Sequence, residues 1–106
     1  MSEHIAIFVT AGTEDEAVSI AKAVVTEGLV ACVNIVKGVR SIYRWKGKVE
    51  DETEVLMIMK TVRSRFDEVA VRVKQLHSYR VPEVVAIPIE AGSKDYLDWL
   101  SAVTAK

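Results

Sequence analysis

The chain alternates between apolar patterns of two periods, and the switch points divide it into elements. From His4 to Thr10 apolar residues occupy both faces of a strand, with Ile5, Ile7 and Val9 on one and Ala6 and Phe8 on the other. Thr13 followed by Glu16 is a capping box, and Ala17, Ile20, Ala21, Val24 and Val25 then recur at helical spacing. Gly28 is a natural stop for that helix. From Val30 to Trp45 the β-branched content is high, with Gly38 as a bulge or bend. Lys46-Gly47 reads as a two-residue turn, so the chain from Val49 folds back as the second arm of a long hairpin. Glu50 to Glu54 reads as a solvated part of that arm, and Val55 to Met59 as a strand without a polar face.

Ser64 and Asp67 form a second cap-like pair ahead of Phe66, Val69, Ala70, Val73 and Leu76, the apolar side of a second helix. A loop leads from there to a strand over Val84 to Ile89. Ser93 then caps a short helix carrying Tyr96, Leu97, Leu100 and Val103. The order is βαββαβ with an added helix, which predicts an α+β ferredoxin-like sandwich: an antiparallel sheet with two helices on one face. Two helices cover only one face, yet the first, third and fourth strands are apolar on both. An open antiparallel sheet normally alternates apolar with polar, so a second copy of the chain is the simplest cover for the other face.

Bulk properties narrow the function. The 106 residues make a single domain, 1–106, large enough to fold without staples. A formal net charge of −1 argues against nucleic acid as a partner. No apolar run is long enough to span a bilayer, and no basic segment leads into one at the start of the chain, so no membrane partner is expected. Cys32 is the one cysteine and cannot form an internal disulfide, which fits the cytoplasm.

Candidate chemistry concentrates in Leu76-His77-Ser78-Tyr79-Arg80-Val81-Pro82-Glu83, an imidazole, a phenol, a guanidinium and a carboxylate in one proline-fixed loop. Elsewhere, Cys32 and Asn34 share a strand face, as do Tyr43 and Trp45. Cys32 alone reads as a small buried residue. Tyr43 and Trp45 are either hairpin-stabilising aromatics or walls for a ligand. Lys60, at the end of an apolar strand, is either a snorkelling charge or an anion contact. His77 and Glu83 offer the nitrogen and oxygen donors that suit copper(II) or zinc, but two ligands do not close a site. Phosphate loops, dinucleotide fingerprints and hydrolase motifs are absent, so the chain reads as no enzyme and no catalytic residue is assigned.

The segment His77 to Ile89 resembles the signature loop and last strand of the CutA divalent-ion-tolerance family. Leu29 to Ile35, Ser41 to Lys48 and Val55 to Thr61 fit the same family in order and spacing. The resemblance implies a homotrimer with three sheets facing inward. It implies that Cys32, Asn34, Tyr43, Trp45, Lys60, His77, Tyr79 and Glu83 gather at clefts between subunits. It also implies a role in divalent-cation, notably copper, tolerance. In some members a cysteine near the end of the first strand and a histidine pair in the loop are the copper ligands; here those positions are Val9 and Leu76-His77, so only His77 is retained. Weak binding of copper(II) or another divalent cation at His77 and Glu83 is the resulting expectation, with no obligatory cofactor. The alternative is a PII-like ligand-sensing or scaffold trimer, its clefts holding a small anion against Lys60 or Arg80.

Overall fold

The strongest local signals of the sequence become the frame of the sheet. The computed structural model describes residues 3–106. The elements are β1 (His4–Ala11), α1 (Glu14–Thr26), β2 (Cys32–Trp45), β3 (Lys48–Val62), α2 (Phe66–Leu76), β4 (Val85–Pro88) and α3 (Lys94–Val103). They build the expected ferredoxin-like βαββαβ sandwich, with strand order β2-β3-β1-β4 and every neighbouring pair antiparallel.

The helix-side core follows the two periods read from the sequence. Ile5, Ile7 and Val9 of β1 and Val55, Met57 and Met59 of β3 point to one face. Ala17, Ile20 and Val24 of α1 and Val69 and Val73 of α2 close over them. At the start of α1 the Thr13 side chain accepts from Glu16 N–H, which is half of the expected capping box. The Glu16 carboxylate leaves the cap and goes to the loop at residue 78. The helix ends in a Schellman turn: Leu29 N–H bonds Val24 O and Gly28 N–H bonds Val25 O, with Gly28 at φ +74°.

One expected cap is replaced and another is held by backbone alone. Ahead of α2 a 3₁₀ turn occupies Arg63–Arg65, and Arg65, itself helical in backbone, stands where Ser64 was expected to cap; no side chain bonds the helix start. Arg65 instead donates to Thr104 O (2.9 Å) and pairs with Glu68 (3.0 Å), tying α2 to the end of α3. Ser93 takes the N-cap backbone position of α3 without a side-chain bond. The last strand is also shorter than Val84 to Ile89, because the ladder to β1 holds only Val85–Pro88.

The β2–β3 hairpin is long, and the chain measures 44 × 25 × 22 Å along its principal axes. Lys46 and Gly47 both adopt positive φ (50° and 79°), as a tight hairpin turn requires. At Gly38 (φ +75°) the register shifts between Val36 and Val39. That extra residue resets the alternation of β2. As a result Val39, Ser41, Tyr43 and Trp45 face the same way as Cys32, Asn34 and Val36.

The face away from the helices has little cover. It presents Phe8, Leu56 and Ile58 half-buried and Val36, Val85 and Ile87 exposed, the last two by 49% and 48%. Its end nearest α3 is overlaid, where His4 Nε2 lies 2.8 Å from Ser101 Oγ.

Candidate functional site

The expected site residues fall into two groups at opposite ends of the uncovered sheet face. Cys32 and Lys60 are direct cross-strand partners, and Asn34 is two residues along β2. Lys60 Nζ donates to Asn34 Oδ1. Cys32 Sγ lies 3.6 Å from the Tyr96 hydroxyl of α3. This contact, and burial after it, raises the Tyr96 phenol above its usual pKa. Cys32 is half-buried rather than buried, at the sheet end where Tyr96 of α3 approaches it.

The second group lines a cleft of about 780 Å³ between the distal half of the hairpin and the 77–84 loop. Tyr43, Trp45, Tyr79, Arg80 and Glu83 all reach it. So do residues that the sequence left unassigned, chiefly Glu50, Glu52 and Glu54. Their spacing of two along a strand was the available signal, since it puts all three on one face. They lie opposite Tyr43, Ser41 and Val39 in the ladder. Glu54 corrects the reading of a solvated acidic run: it is 5% exposed. Tyr79 Oη–H donates to its Oε2 at 2.8 Å, so the loop folds over the strand and buries it.

The phenols record the charge of this cleft. Burial raises the Tyr79 pKa well above the ordinary phenol range, and the bond to Glu54 and the charges of Glu54 and Glu52 raise it further. Tyr43 is raised by desolvation first and then by Glu52, Glu54 and Glu50. The cations in the wall offset this only in part. Arg40 is held by Asp51 through two bonds of 2.9 and 2.7 Å, and Arg80 has no ion-pair partner among the described residues.

His77 is not in the cleft wall. Its side chain is fully buried behind the loop, where Nε2 lies 2.7 Å from Thr10 O and Tyr79 N–H donates to Nδ1 at 3.0 Å. A carbonyl can only accept and a backbone N–H can only donate, so the ring carries its proton on Nε2 and both nitrogens are engaged. The Glu16 carboxylate is 3.7 Å from Nδ1 and accepts Ser78 N–H at 2.6 Å. Three successive loop residues are thus held by β1, α1 and β3. The imidazole shapes the loop and presents no lone pair to a ligand. Among the described residues no three histidine, cysteine or acidic side chains converge as a metal-holding set, and no helix is long and apolar enough to cross a membrane.

Residues 5–103 match the family model described as the CutA1 divalent ion tolerance protein. The divalent-cation tolerance protein CutA of Thermus thermophilus is 51% identical over 94 residues, 89% of this chain and 91% of that one. Protein CutA of Mus musculus is 46% identical over 99 residues, 93% of this chain, which spans 56% of the mouse protein's length. Among solved structures, the Thermus thermophilus protein superposes with a TM-score of 0.94 at 48% identity, covering 96% of this chain and 99% of that one. CutA1 of Oryza sativa gives 0.95 at 41% identity, covering 99% and 96%. The family is named for tolerance of divalent ions and not for a reaction. On sequence and fold together, the chain belongs to the CutA1 divalent ion tolerance family.

Proposed function

We propose that this protein serves divalent-cation tolerance as a homotrimer whose working site is the cleft between hairpin and loop. In this reading a divalent cation engages the cleft weakly, through Glu83 and the hairpin carboxylates Glu50 and Glu52, and not through His77. The observation that carries it is the double use of the His77 ring, on Thr10 O and Tyr79 N–H. A metal ligand must offer a lone pair, and here a bond within the chain takes it. The lack of a converging chelate set among the described residues supports weak and not tight binding.

Assembly is supported by the uncovered apolar face of Phe8, Leu56, Ile58, Val85 and Ile87, a patch of the kind that marks an interface. Family resemblance brings Cys32, Asn34 and Lys60 together with Tyr43, Trp45, Tyr79 and Glu83. One chain holds these groups at opposite ends of a sheet, so their meeting requires a neighbour's hairpin. We place the protein in the cytosol on its single thiol.

The test is a copper(II) titration, copper being the tightest-binding first-row divalent ion at a generic site, run with light scattering on each sample. His77→Gln, which keeps a donor for Thr10 O, should bind copper as the wild type does. Glu50→Gln combined with Glu83→Gln should bind at least fivefold more weakly, and His4→Ala controls for binding near the chain start. Copper loss confined to His77→Gln, or the mass of one chain at micromolar concentration, would reject the reading. A second reading, a PII-like ligand sensor without a dedicated metal site, is favoured by the cleft's volume and its three aromatic walls.

A further inference from the structure

His77 carries a titratable ring at the root of the loop, with its side chain wholly out of solvent. Its two nitrogens have opposite duties: Nε2–H donates to Thr10 O of β1, and Nδ1 accepts Tyr79 N–H. The second bond uses the Nδ1 lone pair, so it exists only while the ring is neutral. A proton on Nδ1 would set two donors against each other 3.0 Å apart, in a place closed to water. Glu16 of α1 brings an opposite charge, but it stands 3.7 Å from Nδ1, beyond hydrogen-bond length, and its Oε2 already accepts Ser78 N–H. From the loop itself the Tyr79 ring faces the imidazole, with centroids 4.6 Å apart. Behind that phenol, Glu54 of β3 accepts its hydroxyl. Gly12 leaves the phenol room, since a Cβ there would meet Tyr79 Oη at 3.3 Å. Tyr79 is thus fastened at both ends, its amide on His77 and its hydroxyl on Glu54.

We propose that His77 is an acid-released latch: protonation at Nδ1 frees the Tyr79 amide, withdraws the phenol from Glu54 and opens the loop. The direction follows from mass action. The closed loop occupies the lone pair that a proton needs, whereas the open loop leaves it free, so protons bind the open form better. Acidification therefore shifts the population towards the open form, by about tenfold per pH unit at most for a single proton. Imidazole is the side chain suited to this duty, because ordinary carboxylates and phenols keep their charge between about pH 8 and 5, where imidazoles change theirs. Ser78 N–H remains on Glu16, which makes residue 78 the pivot of the movement. Opening also exposes Glu54, which the closed loop buries. The latch acts whatever the cleft takes up, so its failure would leave the reading of a weak cation site untouched.

The experiment is NMR on the intact protein with isotope-labelled histidine and tyrosine, from about pH 8 to about pH 5, each sample sized by light scattering. His4→Ala and Tyr79→Phe assign the His77 ring and the Tyr79 amide. In the wild type the ring should pass from the Nε2–H tautomer to the doubly protonated form. In step with it, the Tyr79 amide should lose at least tenfold of its hydrogen-exchange protection, measured against the free-peptide rate at each pH. The Met57 amide, on the central strand between Val9 and Ile35, should keep its own. His77→Gln cannot titrate and keeps a donor for Thr10 O, so its Tyr79 protection should stay constant across the range, at whatever level it starts. A ring that becomes charged while Tyr79 stays protected overturns the inference, as does a Tyr79 amide freed while the ring stays neutral. So does a wild type in which neither changes, or a His77→Gln protein that loses protection as the wild type does. Loss of protection confined to samples that dissociate on acidification overturns it too, because the change then belongs to assembly and not to the latch.

Discussion

The two halves of the β2–β3 hairpin are continuous in backbone and opposite in purpose. In the proximal half, Cys32 to Val36 against Leu56 to Lys60, alternate residues lie under α1 and α2, and Met57 and Met59 are fully buried. In the distal half, Val39 to Trp45 against Lys48 to Glu54, the side chains are largely open, and Ile42 and Val49 are 63% and 67% exposed. Its paired strands are steadied by their ladder, by Arg40 on Asp51 and by the clasp of Tyr79 on Glu54. One half makes the fold and the other makes the cleft. The sequence marks the boundary with Gly38, where the shift of register keeps both halves facing the same side.

The two halves should differ most in stability. Met59→Ala, in the proximal core, should destabilise the protein by about 2–5 kcal/mol in chemical denaturation. Val49→Ala, in the distal half, should stay within about 0.5 kcal/mol, as exposed positions do. A similar cost for both would mean that the distal half is packed as tightly as the core, and the division drawn here would fail.

Tyr79→Phe tests the clasp between the loop and the distal half. It removes the hydroxyl that donates to Glu54 Oε2 and leaves a buried carboxylate without that donor. The expected loss is about 1–3 kcal/mol, read from the urea midpoint. Tyr79→Phe together with Glu54→Leu should recover part of it, since removing both polar partners is far less costly than removing one. No recovery would place the tyrosine's worth in its ring packing against His77 (centroids 4.6 Å apart) and not in the bond.

How much of this was legible follows from sequence distance. The Lys46-Gly47 turn, the Gly38 bulge and the Gly28 stop could be read because each depends on residues within a few positions. The topology could be read because the apolar period changes at each boundary. The cleft was legible only in part. Tyr43, Trp45, Tyr79, Arg80 and Glu83 do converge, but Cys32, Asn34 and Lys60 sit at the far end, and His77 turns inward. The missing information is long-range. Glu54 meets Tyr79 25 residues away, and His77 meets Thr10 67 residues away. No local rule distinguishes a glutamate in a solvated acidic run from one that a loop will cover. The cap expected at Ser64 fails for the same reason: Arg65 is recruited by Thr104 at a separation of 39 residues, which no pattern near Ser64 could announce.

Gly38→Val tests the boundary between the two halves. A Cβ on Gly38 would meet nothing within 4 Å, so crowding is not the issue. The cost is the positive φ of 75°, which L residues adopt at about 1–2 kcal/mol. The variant should lose that much stability. If the strand relaxes by removing the bulge, Tyr43 and Trp45 turn to the opposite face. Loss of ligand binding in the cleft with the proximal core intact would then report the register change. Unchanged binding and unchanged stability would show that the bulge does not need glycine.

The smallest effect expected is on the pH dependence of the loop anchor. Burial pushes the Glu16 carboxyl up, but the bonds from Ser78, the nearby His77 ring and the Gly12 backbone outweigh it, and the net pKa is lowered from 4.5. A carboxylate with a depressed folded-state pKa contributes stability above its unfolded value. That contribution is lost as pH falls through the folded one. The window therefore lies below about pH 4.5, and at neutral pH the contribution is complete. Glu16→Gln removes the titration while leaving an oxygen that can accept Ser78 N–H. The difference in stability between wild type and Glu16→Gln should be largest at neutral pH and shrink on acidification below that window. A difference between wild type and Glu16→Gln that stays constant from pH 7 to pH 3 would mean that the glutamate anchors the loop through shape and not through charge.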